Sequence, residues 1–131
     1  MTFDLRPIGV VRSSLRDRGD APRQREGAPE ARLEFDQRYA DALHLIGPGD
    51  ELMLVTWLHL ADREVLQTHP MDDRRLPLTG VFATRSSDRP NPIGLHPVTV
   101  IAVEPPATLR VAALEAVHGT PILDLKAVLR R

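Results

Sequence analysis

Residues 80–94, GVFATRSSDRPNPIG, combine polar side chains with two prolines that bracket Asn91. Because proline fixes φ, this loop should hold Arg85, Arg89 and Asn91 with little conformational freedom. An arginine fork can bind a carboxylate or phosphate, and an amide can pair with the edge of a base. The segment therefore predicts recognition of a polar ligand. A proline-stiffened connector, with Asn91 capping its own turn, explains the residues equally well.

Other motifs for chemistry are missing from the chain. Cysteine is absent and the five histidines show no HExxH or comparable spacing, so no metal is expected. Neither GxGxxG nor GxxxxGK[ST] occurs, which disfavours a Rossmann methyltransferase or a P-loop protein, and no GxSxG elbow surrounds Ser86 or Ser87. His59 ends an apolar stretch, where spacing alone favours a hydrogen-bonded core histidine.

Short apolar runs separated by glycine and proline must position these residues. We predict strands at residues 6–13, 31–35, 51–60, 81–84, 98–104, 109–114 and 122–126. The near-continuous apolar run 51–60 suits a strand buried on both faces. Residues 14–30 indicate a long loop, and residues 37–46 a short helix with Tyr39, Ala42, Leu43 and Ile46 at helical spacing. This pattern is typical of a mainly β fold: a small antiparallel β-barrel of about seven strands with one or two short helices.

Composition indicates one globular domain over residues 1–131, with 42% hydrophobic and 27% charged residues. The net charge of -1 differs from the basic balance of a general nucleic-acid-binding protein, so any contact with RNA must be local. No apolar run is long enough to span a membrane, and the first residues lack a signal-peptide apolar region. We therefore expect no membrane association and a cytoplasmic location.

The segment 80–94 resembles the signature of the TsaA/TrmO-like family. Similar stretches follow in the family's order: IGVVRS at residues 8–13, PRQ at 22–24, a strand ending near His59, and GTPILDLK at 119–126. The resemblance covers almost the whole chain. It implies an S-adenosylmethionine-binding antiparallel β-barrel, a homodimer with the cofactor near the subunit boundary, and N-methylation of threonylcarbamoyladenosine beside the tRNA anticodon.

The resemblance also implies which residues contact S-adenosylmethionine. They are Pro22, Arg23, Gln24, His59, Leu60, Arg85, Leu95, His118, Gly119, Thr120 and Pro121. Arg89 and Asn91 are assigned to the substrate side, as an anion fork and a base-edge amide. The catalytic residue is left unknown, because a neutral exocyclic amine can attack the methyl group before it loses its proton.

Several positions depart from the family pattern. His118 stands where aspartate is usual, residues 50–53 (DELM) replace a common Ser-His-Leu-Trp run, and Lys126 precedes Ala-Val instead of Pro-Tyr. Well-studied bacterial tRNA members also carry an additional C-terminal domain. Three functions follow as hypotheses: an RNA methyltransferase, a small-molecule methyltransferase, or an S-adenosylmethionine-binding module without turnover. Salt-sensitive RNA binding separates the first from the others, and methyl consumption separates the second from the third.

Overall fold

The computed structural model describes residues 1–20 and 27–129, and most of its regular structure is β. The strands are β1 (Gly9–Ser13), β2 (Ala31–Phe35), β3 (Glu51–Trp57), β4 (Gln67–Thr68), β5 (Thr79–Gly80), β6 (Ile93–Glu104), β7 (Thr108–Ala112) and β8 (Pro121–Ala127). Short 3-10 helices cover Arg18–Asp20, Gln37–Leu43, Pro70–Asp72 and Val81–Ala83. No helix among the described residues is long and apolar enough to cross a membrane.

Six strands form one antiparallel sheet in the order β1–β2–β7–β6–β3–β8. Because β8 pairs again with β1, the sheet closes into a barrel, while β4 and β5 pair separately. The prediction of a mainly β, antiparallel fold is confirmed, but the count of about seven strands is wrong, since in the described residues six strands form the sheet and β4 and β5 pair apart from it. The predicted strand at residues 81–84 is also wrong. Thr84 N donates to Val81 O at 3.1 Å and closes a 3-10 turn, and Thr84 Oγ1 donates to the same carbonyl at 2.9 Å.

The core lies inside the closed sheet and follows the two-residue period of its strands. Leu52, Leu54 and Thr56 of β3 are buried, whereas the residues between them are only partly so. The prediction that this run is buried on both faces is therefore wrong, because a closed sheet encloses only its inner face. The other strands contribute further apolar side chains at 2% exposure or less: Val11, Leu33, Val98, Val100, Leu109, Val111 and Ile122.

Several predicted boundaries also change. The first strand begins at Gly9 instead of residue 6, and the strand predicted at 51–60 ends at Trp57. The helix predicted at 37–46 is the 3-10 helix Gln37–Leu43, capped by the Asp36 carboxylate, which accepts from Arg38 N at 3.0 Å. The strand predicted at 98–104 begins earlier, at Ile93, and so includes Pro97. Residues 93–98 pair with β3 alone, since β7 joins only from Thr99 onward. Proline is tolerated at such a locally unpaired edge.

Candidate functional site

The loop between β5 and β6 is held in shape by its own side chains. Thr84 Oγ1 accepts from Ser86 N at 3.1 Å. Arg89 Nη1 donates to the carbonyls of Thr84 and Ser86 at 3.1 and 3.0 Å. Arg85, in contrast, is exposed, and within residues 1–20 and 27–129 its guanidinium has no hydrogen-bond or ion-pair partner. The half-buried Arg89 thus shapes the loop and leaves Arg85 available to a ligand.

Arg63 connects this loop to the residues that follow β3. Its guanidinium lies over the Trp57 ring, 5.0 Å from the centroid, and its Nε donates to Pro90 O at 2.6 Å. Its Nη2 donates to Asn91 Oδ1 at 3.0 Å. The carbonyl oxygen of the Asn91 amide is therefore occupied by the protein itself. The NH₂ group of the same amide has no hydrogen-bond partner among residues 1–20 and 27–129.

Arg18 joins the first loop of the chain to both of these segments. Its Nη1 donates to Leu60 O at 3.0 Å, and its Nη2 donates to Asp88 Oδ1 at 2.8 Å. Asp88 Oδ1 also accepts from Asp62 N at 2.8 Å. Pro22, Arg23 and Gln24 follow shortly after Arg18 and lie outside the described residues.

The turn before β8 contacts the same first loop from another side. His118 N donates to Leu15 O at 2.7 Å, and His118 Nδ1 accepts from Ser13 N at 3.2 Å. A backbone N–H can only donate, so Nδ1 is the unprotonated nitrogen of the ring. An aspartate carboxylate could accept the same bond. The imidazole connects the turn to the loop.

Of the predicted cofactor residues, Leu60 and His118 contact residues 13–20. His59 is exposed beyond β3, and Leu60 and Leu95 are partly exposed, at 47% and 44%. Thr120 is buried and its Oγ1 donates to Val117 O at 2.7 Å, so its hydroxyl stabilises the turn rather than binding a ligand. Gly119 has φ +87°, and Pro121 begins β8 half-buried.

No side-chain bond in the described residues connects Arg85 or Leu95 to the turn at His118. Leu95 of β6 lies opposite Val55 of β3, and its side chain is on the outer face of the sheet. Within the same described ranges, no group of three or more histidine, aspartate and glutamate side chains could hold a metal ion. The arrangement therefore offers polar donors and exposed leucines to an organic ligand.

A buried polar chain at the base of the loop was not predicted from the sequence. Thr56 Oγ1 lies 2.7 Å from His96 Nε2, and His96 Nδ1 lies 2.7 Å from Glu115 Oε1. An ionised carboxylate only accepts, so Nδ1 donates to Glu115 and, in a neutral ring, Nε2 accepts from the Thr56 hydroxyl. The histidine hydrogen-bonded in the core is thus His96, and the interpretation that spacing favoured for His59 is wrong.

These three hydrogen-bonded side chains follow the order hydroxyl, imidazole, carboxylate of a nucleophilic triad. Their packing leaves no room for a substrate. Thr56 is fully buried, and a Cβ placed on Gly94 would lie 2.5 Å from Thr56 Oγ1 and 2.6 Å from His96 Nε2. The three residues instead connect β3, β6 and the segment that leads to His118. One signal could have found them: extending β6 by two residues places His96 on the inner face with Val98.

Comparison with known proteins gives a consistent set of similarities. Residues 10–131 match the family profile described as the tRNA-methyltransferase O N-terminal domain. A probable S-adenosyl-L-methionine-binding protein of Methanothermobacter thermautotrophicus is 39% identical over 127 residues, which cover 96% of this chain and 90% of that protein. An S-adenosyl-L-methionine-binding protein of Archaeoglobus fulgidus is 39% identical over 123 residues, covering 93% and 86%.

Solved structures agree with these sequence similarities. The crystal structure of TrmO from Pseudomonas aeruginosa has a TM-score of 0.77 and 29% sequence identity, and the similarity covers 98% of this chain. It covers 57% of the Pseudomonas chain. The present chain therefore spans little more than half the length of that protein, while it matches most of the length of the two archaeal relatives.

Proposed function

The chain belongs to the family of the tRNA-methyltransferase O N-terminal domain, and from this membership we propose that it binds S-adenosylmethionine and transfers its methyl group to a modified adenosine of tRNA. The observation that carries the proposal is the convergence of the Leu60, Asp88 and His118 segments on residues 13–20. A cytoplasmic location and a single domain over residues 1–131 remain predictions.

The residues present fit this cofactor. Leu60 and Leu95 offer partly exposed apolar surface to a flat purine, and the guanidinium of Arg85 has unused donors for a carboxylate. Gly119, with φ +87°, has a backbone conformation that would strain a side chain, and its N–H donates to Val11 O at 2.8 Å, which fixes the turn beside the proposed site. Pro22, Arg23 and Gln24 complete the proposed set. S-adenosylmethionine supplies an electrophilic methyl group on a sulfonium.

The protein's own contribution is to orient the acceptor and exclude water. Alignment of this kind can contribute about 7 to 11 kcal/mol to an in-line displacement. The Asn91 NH₂ group can donate to a base edge, and the Nη2 and Nε groups of Arg89 can face a phosphate or carboxylate. Arg63 keeps Asn91 in place, so the substrate side is preorganised by the bonds between the two loops.

The decisive test combines methyl transfer with replacement of Arg85. Wild-type protein should move a labelled methyl group from S-adenosylmethionine to tRNA, with the product identified by mass analysis of nucleosides. Arg85→Lys keeps the charge but loses the planar fork, so cofactor affinity should fall roughly ten- to a hundred-fold, the effect of about 1.5 to 3 kcal/mol. Isothermal calorimetry measures that affinity. Arg89→Lys should lower transfer more than it lowers cofactor affinity.

Arg38→Lys is the matched control for this series, since Arg38 is exposed and pairs with Asp36 away from the site. Wild-type affinity in Arg85→Lys would contradict the proposed cofactor contact. Methylation of a small molecule without methylation of tRNA would support the small-molecule alternative. Cofactor binding without any methyl consumption would support a non-catalytic binding module.

We propose that the protein is a homodimer, and exposed apolar residues support this. Between residues 60 and 95 the exposed side chains include Leu66, Leu78, Phe82 and Ile93, with Phe82 at 82%. A hollow of about 330 Å³ beside Phe82 is lined mainly by apolar atoms of residues 66 and 80–83. Monomers rarely expose contiguous apolar surface, and a second copy would cover this hollow together with Leu66 and Phe82.

Sedimentation at micromolar concentration should therefore report twice the chain mass of 14.6 kDa. Phe82→Glu should give a monomer with weakened cofactor binding. Dimerisation would bury the new charge in the proposed interface, which is costly. Phe3→Glu is the control, since Phe3 is also exposed, at 77%, but lies near the N terminus. A wild-type monomer that binds the cofactor would refute the shared site.

A further inference from the structure

A groove of about 590 Å³ opens on the outer face of the sheet, next to the turn that holds His118. Four arginines line it: Arg12, Arg16, Arg32 and Arg110. Glu30 also lines the groove, and Glu34 and Glu104 lie against its arginines, so four cations meet three anions there and the local excess is one positive charge. The chain as a whole has a net charge of -1. None of these arginines belongs to the cofactor or substrate residues proposed above.

Three of the arginines form a row across neighbouring strands. Arg12 of β1 is the register partner of Arg32 of β2, and Arg32 is the partner of Arg110 of β7. Neighbouring strands lie about 4.8 Å apart, so three cations stand side by side at that spacing. Like charges directly opposite one another destabilise a sheet. The row therefore costs stability unless anions lie against it.

Glutamates hold each arginine of the row, but only by its inner nitrogen. Arg12 Nε contacts Glu34 Oε1 at 3.1 Å, and Arg32 Nε contacts Glu104 Oε1 at 2.9 Å. The hydrogen bond and the charge of Glu104 raise the pKa of Arg32. Arg110 Nε lies 3.2 Å from Glu30 Oε1, although the alignment does not make a hydrogen bond.

The terminal nitrogens of these guanidinium groups make no hydrogen bond within residues 1–20 and 27–129, where the hydrogen bonds of Arg12 and Arg32 use Nε. Within the same ranges Arg16 has no hydrogen-bond or ion-pair partner. The glutamates therefore lie nearest to the Nε side of the forks. Exposed ion pairs contribute only about 0.2 to 1 kcal/mol, so stability alone is a weak reason for such a row.

We propose that this arginine row binds the phosphate backbone of the RNA acceptor. A guanidinium edge with two free N–H groups matches the oxygens of a phosphodiester, and repeated phosphates suit a repeated row. The groove ends at His118, in the turn assigned to the cofactor, so a strand along the row leads a nucleotide toward the methyl donor. The inference rests on the proposed function and assigns the surface on which its substrate lies.

The test measures binding of an unmodified tRNA transcript over a range of salt concentrations. Arg12→Gln, Arg32→Gln and Arg110→Gln should each reduce the slope of log affinity against log salt by about 0.7 to 0.9, and the triple variant by about 2 to 3. Glu34→Gln should bind the transcript at least as tightly as wild type, because it removes a negative charge and leaves the arginines. Arg38→Gln is the control and should keep the wild-type slope.

Two readouts keep the outcome clear. Thermal melting and calorimetry with S-adenosylmethionine should show that the triple variant folds and binds cofactor as wild type does. A wild-type slope in the triple variant would overturn the proposal, as would absence of transcript binding by the wild-type protein. An equal loss of heparin binding would also overturn it, because it would show attraction of any polyanion. If the wild-type protein failed to bind S-adenosylmethionine while the salt slopes changed as expected, that result would instead contradict the proposed function.

Discussion

Gly94→Ala is expected to lower the free energy of unfolding by about 3 kcal/mol or more, which corresponds to roughly 10 °C in melting temperature. The added Cβ would lie 2.5 Å from Thr56 Oγ1 and 2.6 Å from His96 Nε2, closer than real Cβ contacts allow. Relief requires movement of one or both buried polar atoms. Overpacking and a broken buried hydrogen bond therefore act together at this position.

Urea denaturation followed by circular dichroism measures this change. Gly80→Ala is the matched control, because a Cβ at Gly80 meets nothing within 4 Å and its φ of -59° suits alanine. The control should remain within about 1 kcal/mol of wild type. An unfolding free energy of Gly94→Ala equal to that of the control would show that the Thr56–His96–Glu115 chain is not packed as described.

A double-variant cycle identifies the cause of the loss. Thr56→Ala removes one of the two atoms that the new Cβ would meet, so Gly94→Ala should cost less in that background than in wild type. Thr56→Ala by itself should cost about 1 to 3 kcal/mol, because it removes the described hydrogen-bond partner of His96 Nε2. Strict additivity would place the damage of Gly94→Ala elsewhere.

S-adenosylmethionine is expected to stabilise the folded protein by about 2.7 kcal/mol at one hundred times its dissociation constant. This corresponds to roughly 10 °C for a domain of this size. The physical reason is linkage: a ligand that binds the folded site formed by the Leu60 and His118 segments, and not the unfolded chain, shifts the equilibrium toward folding. Differential scanning calorimetry with and without cofactor measures the shift.

The same scan with a chelator should give the same shift, since the proposed cofactor contacts need no metal. Adenosine and methionine added separately should each shift melting less, because neither fills both parts of the site. An unchanged melting temperature at millimolar S-adenosylmethionine would contradict the proposed function. A shift that appears only with added metal would contradict the proposed contacts and require a metal ligand set.

Much of this protein could be inferred from local patterns. Short apolar runs between glycine and proline predicted the strands β2, β7 and β8 closely, because alternation and turn residues act over a few neighbours. The prolines that bracket Asn91 predicted a shaped loop around that residue, and the structure has one between β5 and β6. The same stretch pointed to the family. These features depend on spacing along the chain, which a sequence displays directly.

Only the tertiary structure decided which side chains in that loop are free. Arg85 and Arg89 are four residues apart and chemically identical. Arg89 Nη1 donates to the carbonyls of Thr84 and Ser86, whereas Arg85 has no partner in the described residues. The same holds for the histidines: His96 is in the core because β6 begins at Ile93, and His59 is outside because β3 ends at Trp57. Cross-strand register also aligned Arg12, Arg32 and Arg110. The strand boundaries and the register depend on pairing between residues far apart in the chain, which is why the tertiary structure was needed to decide them.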